Sequence, residues 1–348
     1  MSFSSNFIKA LKSVLPAPFT IAVILTVVTW FLAFFFGEVE STNLLDRVFK
    51  VAQSWEVGIW NNSLLVFAVQ MMLMLVLGHS LARSKPVDSL IQKALKYCTN
   101  TANSAAIVVF LSMFVGLFNW GLGLIFGAIF ARKVGEKAVR ENNALNYPLI
   151  GAAGYSALLV WHGGLSGSSL TKVAEPNHLR SFMEGIYSSE KIALLPEQIT
   201  FSETVFSPMN VVVSIALLTV IPLVMFQIGK RSKTAEIKIK LKTVEHSITE
   251  KQYGAERLDH SSILGIGFGL IILMVAGLKM FYFSEKGVLS FFTPNNINLT
   301  LLGLTLFFHQ KFSKFLGALE EAIGGVSGIL IQFPLYFRIM GMMKASGL

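Results

Sequence analysis

Residues 105–131 read AAIVVFLSMFVGLFNWGLGLIFGAIFA, an uncharged run between two basic clusters. Ahead of it stand Arg83, Lys85, Lys93 and Lys96; behind it stand Arg132, Lys133, Lys137 and Arg140. A run of this length is enough to cross the roughly 30 Å of a bilayer's hydrocarbon core. Lys and Arg mark the cytoplasmic ends of membrane segments, so a single crossing would strand one cluster on the wrong side. A re-entrant hairpin that enters and returns keeps both clusters on one side. Its tip falls at Gly116-Leu-Phe-Asn119-Trp120-Gly121-Leu-Gly123, where three glycines and an asparagine suit a turn. The rival reading is one tilted span whose loop charges mislead.

The rest of the chain agrees with a membrane setting. Of 348 residues, 53% are hydrophobic and 14% charged, against about 25% charged in ordinary soluble domains. Such a composition leaves too little polar surface to coat a soluble globule. High hydropathy, no collagen-like period and a single cysteine, Cys98, exclude disordered, fibrous and disulfide-built classes. The +9 net charge is therefore read as loop asymmetry, not as a nucleic-acid footprint.

Further apolar runs are Pro18–Phe36, Ile59–Ala82, Tyr147–Trp161, Met209–Ile228, Ile263–Phe283, Ile297–Phe308 and Ile323–Met343. The fold class expected is all-α: a polytopic membrane protein of about seven spans plus the re-entrant hairpin. With the hairpin in place, 20 Lys and Arg fall in cytoplasmic loops and six in outer loops, with the N-terminus inside. The domain reading is a first repeat over 1–229, a basic cytoplasmic linker over 230–260, and an incomplete second repeat over 261–348 in opposite orientation. The linker alternates Ile and Lys at 237–242, which suits a short surface helix or strand. The span beginning at Tyr147 runs into His162-Gly163-Gly164-Leu165-Ser166-Gly167-Ser168-Ser169, so its helix should break there, within or near the membrane.

No Asp or Glu lies deep inside any run, so carboxylate proton relays and acidic cation sites are not visible. The nearest buried-looking polar groups are Gln70, Asn119, Gln332 and the Gly/Ser stretch. A hairpin tip and a broken helix expose backbone N–H groups that attract small anions, while opposed carbonyls can coordinate Na⁺. Candidate substrate-binding residues are Asn119, Gly121, Gly123, Gly163, Gly164, Ser166, Gly167, Ser168, Ser169 and Gln332. The competing role for these residues is close helix packing. Arg338, well inside its run, either snorkels, pairs, or acts as counter-ion to an anionic substrate. Phosphate-loop, zinc-protease and nucleophile-elbow motifs are absent, so no enzyme or ATP-driven pump is indicated.

Several motifs resemble the bacterial short-chain fatty acid transporter family, whose type member is associated with acetoacetate and butyrate uptake. They are Asn119-Trp120-Gly121-Leu122-Gly123 with Gly127 to Arg132, Trp161-x-Gly-Gly-Leu-Ser-Gly-Ser, and Gly328-Ile-Leu-Ile-Gln332-Phe-Pro-Leu-Tyr336. Leu15-Pro16-x-Pro18-Phe19, Gly78-His79-x-Leu-Ala82 and Met280-Phe-Tyr-Phe-Ser284-Glu285 add to the set. The resemblance covers nearly the whole chain. It implies an ion-coupled transporter of inverted repeats, with Asn119 and Gly163–Ser169 as walls of the site. Two departures stand out: His162 interrupts a run that is typically all Gly, and family members continue into a second Gly-rich hairpin. On that reading the chain is incomplete, an uncovered groove lies beside Asn119 and Ser166, and the chain does not transport alone.

The function expected is cation-coupled secondary transport of small monocarboxylates, such as butyrate or acetoacetate, across the bacterial inner membrane. Moving one negative charge into an inside-negative cell costs about 2.3 kcal/mol per 100 mV, so a co-transported cation, Na⁺ or H⁺, is needed. No other cofactor or metal is expected. The partners are the carboxylate and the lipid bilayer, without nucleic acid, and a homo-oligomer is compatible with the sequence. The rivals are an anion channel, a membrane-embedded enzyme and a non-transporting subunit.

Overall fold

The computed structural model describes Phe7, Leu11, residues 13–184, 186–235, Ile239, 254–283 and 287–348. In chain order the helices are α1 (Pro18–Phe36), α2 (Leu44–Gly58), α3 (Asn62–Ala82), α4 (Lys85–Leu95), α5 (Thr101–Phe118), α6 (Trp120–Arg140) and α7 (Tyr147–Tyr155). They continue with α8 (Ser168–Val173), α9 (His178–Met183), α10 (Ser189–Ala193), α11 (Pro208–Arg231) and α12 (Glu256–Asp259). The last are α13 (Ser262–Phe281), α14 (Pro294–His309), α15 (Phe312–Ile323) and α16 (Ser327–Ser346). Only isolated bridges, and no strands, occur among the described residues. The protein is all-α and polytopic. Six stretches among the described residues are long and apolar enough to span a bilayer: α1, α3, α5, α11, α13 and the Phe312–Ser346 stretch. Most of α1 and α11 is unburied by protein, and their exposed faces carry Phe31, Phe35, Val212, Ile215 and Leu223. Such apolar faces suit lipid contact. Most of the 237–242 alternation, like Ser284 and Glu285, lies outside the described residues.

The chain forms two compact units. The first comprises Met1–Met72, Met183–Leu194 and Gly325–Leu348. In it, α16 packs along α1 and α2. Ala33, Val51 and Met342 close a small core, edged by Trp30, Trp55 and Ile339. Asn43 starts α2 by accepting from the Asp46 N–H at 2.8 Å, the usual service of an Asn N-cap.

The second unit comprises Leu73–Phe182 and Leu195–Gly324. Helix α5 lies at its centre, packed on α6, α7 and α11, while α13 pairs with α14. Its core includes Val108, Val109, Met113, Phe126, Phe130 and Ile150. The run that opened the reading folds as two helices interrupted at Asn119 alone. They run antiparallel: a Cβ on Gly123 would sit 2.6 Å from Gly116 Cα, and one on Gly127 would sit 2.8 Å from Ser112 Oγ. Glycine is needed here because two helix backbones touch. The helical hairpin is thus built by Asn119 as the breaker and glycines as the seam.

Candidate functional site at the hairpin tip

Asn119 is extended (φ −153°) and is both the last residue of one helix and the first of the next. Its Oδ1 accepts from the Leu122 N–H at 2.7 Å, and its own N–H donates to Val115 O at 3.1 Å. The first turn of α6 would otherwise hold four orphaned N–H groups, at Asn119, Trp120, Gly121 and Leu122. The Trp120 N–H donates to Ser166 Oγ at 2.9 Å. Three of the four are therefore satisfied within the protein.

The break after α7 supplies that acceptor. Helix α7 ends at Tyr155, and two 3₁₀ turns, Ser156–Leu159 and Trp161–Gly163, follow. The α-helix therefore gives way eight residues before the first Gly pair at Gly163. This stretch packs closely on the hairpin: Gly154 touches Gly127, and a Cβ on Gly116 would come within 2.7 Å of Ala157 O. The Leu165 N–H then donates to Leu117 O at 2.7 Å, beside the Ser166–Trp120 bond. Two hydrogen bonds stitch the broken helix to the hairpin tip across 46 to 48 residues of sequence. The Trp120 and Trp161 rings lie 5.9 Å apart over the same junction.

The structure thus brings together Asn119, Gly121, Gly123, Gly164 and Ser166. Gly163 is held by Asn210 of α11, whose Nδ2 donates to Gly163 O at 2.8 Å and Val205 O at 2.7 Å. Gly167 accepts from the Thr171 N–H at 3.0 Å, beginning α8. Ser168 is half-buried and Ser169 exposed. Gln332, half-buried on α16, belongs to the first unit. Sequence reading missed Asn210 and the close pass of α3, where a Cβ on Gly78 would meet Asn119 Oδ1 at 2.7 Å. Both are long-range contacts; the only local signal for Asn210 was an amide opening an otherwise apolar run.

The expected open groove is corrected. Asn119 is 2% exposed and Ser166 0%. The hairpin, the α3 helix and the break cover one another, and the side chains of Asn119 and Ser166 cap the backbone that had been read as bare. Besides the Gly121 N–H, two side-chain donors lack an acceptor: Asn119 Nδ2 and Trp120 Nε1 are both buried. The Ser166 hydroxyl, accepting from Trp120, still has its own proton to donate. Among the described residues no His, Cys, Asp or Glu cluster suits a metal ion. Farther along α8, Lys172 pairs with Glu175 at 2.7 Å.

A family model for short chain fatty acid transporters matches residues 1–348. The chain belongs to that family. It is 33% identical over 340 residues to an Escherichia coli (strain K12) protein provisionally named a short-chain fatty acid transporter, covering 96% of this chain and 70% of the relative. A Haemophilus influenzae protein of the same provisional name is 29% identical over 339 residues, covering 96% of this chain and 71% of the relative. No solved structure matches the chain.

Proposed function

We propose that the protein is a secondary transporter of short-chain fatty acids, and that it receives the substrate carboxylate at the junction of hairpin tip and broken helix. The observation that carries the site is the set of buried donors lacking acceptors, Asn119 Nδ2 and Trp120 Nε1, beside the Ser166 hydroxyl. A buried donor left unpaired costs about 1–3 kcal/mol. A carboxylate offers acceptors that would satisfy these donors. Short-chain acids have pKa values near those of ordinary carboxylates, so they are anions at neutral pH. The donor set carries no fixed charge, which favours a singly charged ligand that must also be released.

On this reading the hairpin is re-entrant from the cytoplasm, as the basic clusters on both its flanks favour. The chain then sits in the inner membrane with its N-terminus inside. Uptake is coupled to a cation, because the anion alone moves against an inside-negative potential. Na⁺ held by backbone carbonyls and a co-transported H⁺ both satisfy that requirement.

The Asn119→Asp variant tests the site. It keeps the Oδ1 that caps Leu122 but replaces the Nδ2 donor with negative charge. Butyrate affinity of the reconstituted protein should fall at least about ten-fold, the value of one hydrogen bond to a charged group. Unchanged affinity in a folded variant would remove Asn119 from the site.

A further inference from the structure

We infer a second carboxylate-binding site in the first unit, formed by Arg338 and Trp55; its ligand class rests on the function proposed above. Arg338 lies within α16, a helix whose surrounding sequence is Ile-Gln-Phe-Pro-Leu-Tyr-Phe-Arg-Ile-Met-Gly-Met-Met. A cation inside such a helix is expected to be paired or functional. No acidic side chain among the described residues pairs with it. The guanidinium instead sits over the Trp55 ring of α2, 4.2 Å from its centroid.

Glycines create this contact. A Cβ on Gly58 would lie 3.0 Å from Arg338 Cα, and one on Gly341 would lie 2.6 Å from Gly58 Cα. Helices α2 and α16 therefore touch along their backbones, which presses Trp55 and Arg338 together. A cation over a ring face uses the face of the guanidinium and leaves its edge donors free. Arg338 Nε and Trp55 Nε1 are both buried without an acceptor. Arg47 of the same unit also stands over a ring, Phe34 at 5.9 Å, with its Nε buried and unpaired, but it donates through a terminal nitrogen to Gly37 O at 2.6 Å. In the second unit Arg83 pairs with Glu321.

The arrangement lacks one thing, a planar acceptor with negative charge. A carboxylate matches the guanidinium fork with two oxygens, and the indole N–H adds a donor. On α16 just before Arg338, Phe333 stacks with Phe67 at 6.0 Å and meets Phe337 at 6.0 Å.

The test follows tryptophan fluorescence of the full chain in lipid nanodiscs during titration with butyrate, its neutral analogue butyramide, and iodide. The part of the signal lost in Trp55→Phe reports this site. A saturable response to butyrate but not to butyramide is expected. Arg338→Gln should weaken it at least ten-fold, and Arg338→Lys, which keeps charge without the fork, should weaken it less. Saturation by iodide without saturation by butyrate would keep an anion site here and overturn its assignment to carboxylates. Butyrate binding unchanged in folded Arg338→Gln but lost in Asn119→Asp would overturn this site and leave the hairpin-tip site standing. No saturable response to either anion in the folded wild-type chain would overturn it outright.

Discussion

Replacing Ser166 by Ala isolates the bond that ties the broken helix to the hairpin. Ser166 is 0% exposed, and its Oγ accepts the Trp120 N–H at 2.9 Å. The alanine fits without a clash but leaves that N–H buried with no acceptor. Such an orphan costs about 1–3 kcal/mol. At about 1.4 kcal/mol per ten-fold change, this lowers the folded-to-unfolded ratio roughly 5- to 150-fold. Ser169, exposed and three residues on, provides the control; its alanine variant should stay within about 0.5 kcal/mol of wild type. Ser166→Cys, close in size and a weaker acceptor, should fall between. Reversible unfolding by SDS titration in mixed micelles reads all three. If Ser166→Ala matched Ser169→Ala, the hydroxyl would not be capping α6, and the junction would rest on apolar packing alone.

Gly123→Ala should destabilise by about 1–3 kcal/mol in the same titration, because its Cβ would meet Gly116 Cα at 2.6 Å, where only backbone could yield. Gly151→Ala, with nothing within 4 Å of its new Cβ, should be neutral or stabilising. Cysteines placed at the exposed Lys93 and Arg140 positions should both label from the cytoplasmic side of membrane vesicles; labelling from opposite sides would refute re-entrance. Native Cys98 should stay silent near neutral pH, since burial pushes its thiol up to about 11 and holds it protonated.

The turn at Asn119 was legible because one asparagine and flanking glycines interrupt an otherwise continuous apolar run. The crowded Gly and Ser residues of 163–169 signalled a break, whereas α7 ends at Tyr155 and 3₁₀ turns lead on to Gly163. What could not be read was who satisfies whom. Bare helix ends looked like the anion site, yet Asn119 caps Leu122 and Ser166 caps Trp120, so the buried donors left there include the side-chain groups Asn119 Nδ2 and Trp120 Nε1. The Ser166–Trp120 pairing spans 46 residues, and the Asn210–Gly163 pairing spans 47. No local pattern encodes such partners. Arg338 was conspicuous as a charge in an apolar helix, but its stacking on Trp55 depends on two distant glycines meeting, Gly58 and Gly341. The close pass of α7 on α6, where Gly154 meets Gly127, is likewise a contact between residues far apart in sequence.

The central claim, carriage of a short-chain carboxylate through the hairpin junction, is tested most directly by counterflow of labelled butyrate in proteoliposomes loaded with unlabelled butyrate. A transient overshoot that saturates with butyrate concentration is expected, with a marked loss of that overshoot in Asn119→Asp. Uptake that rises linearly without overshoot, or an overshoot equal in Asn119→Asp, would contradict it.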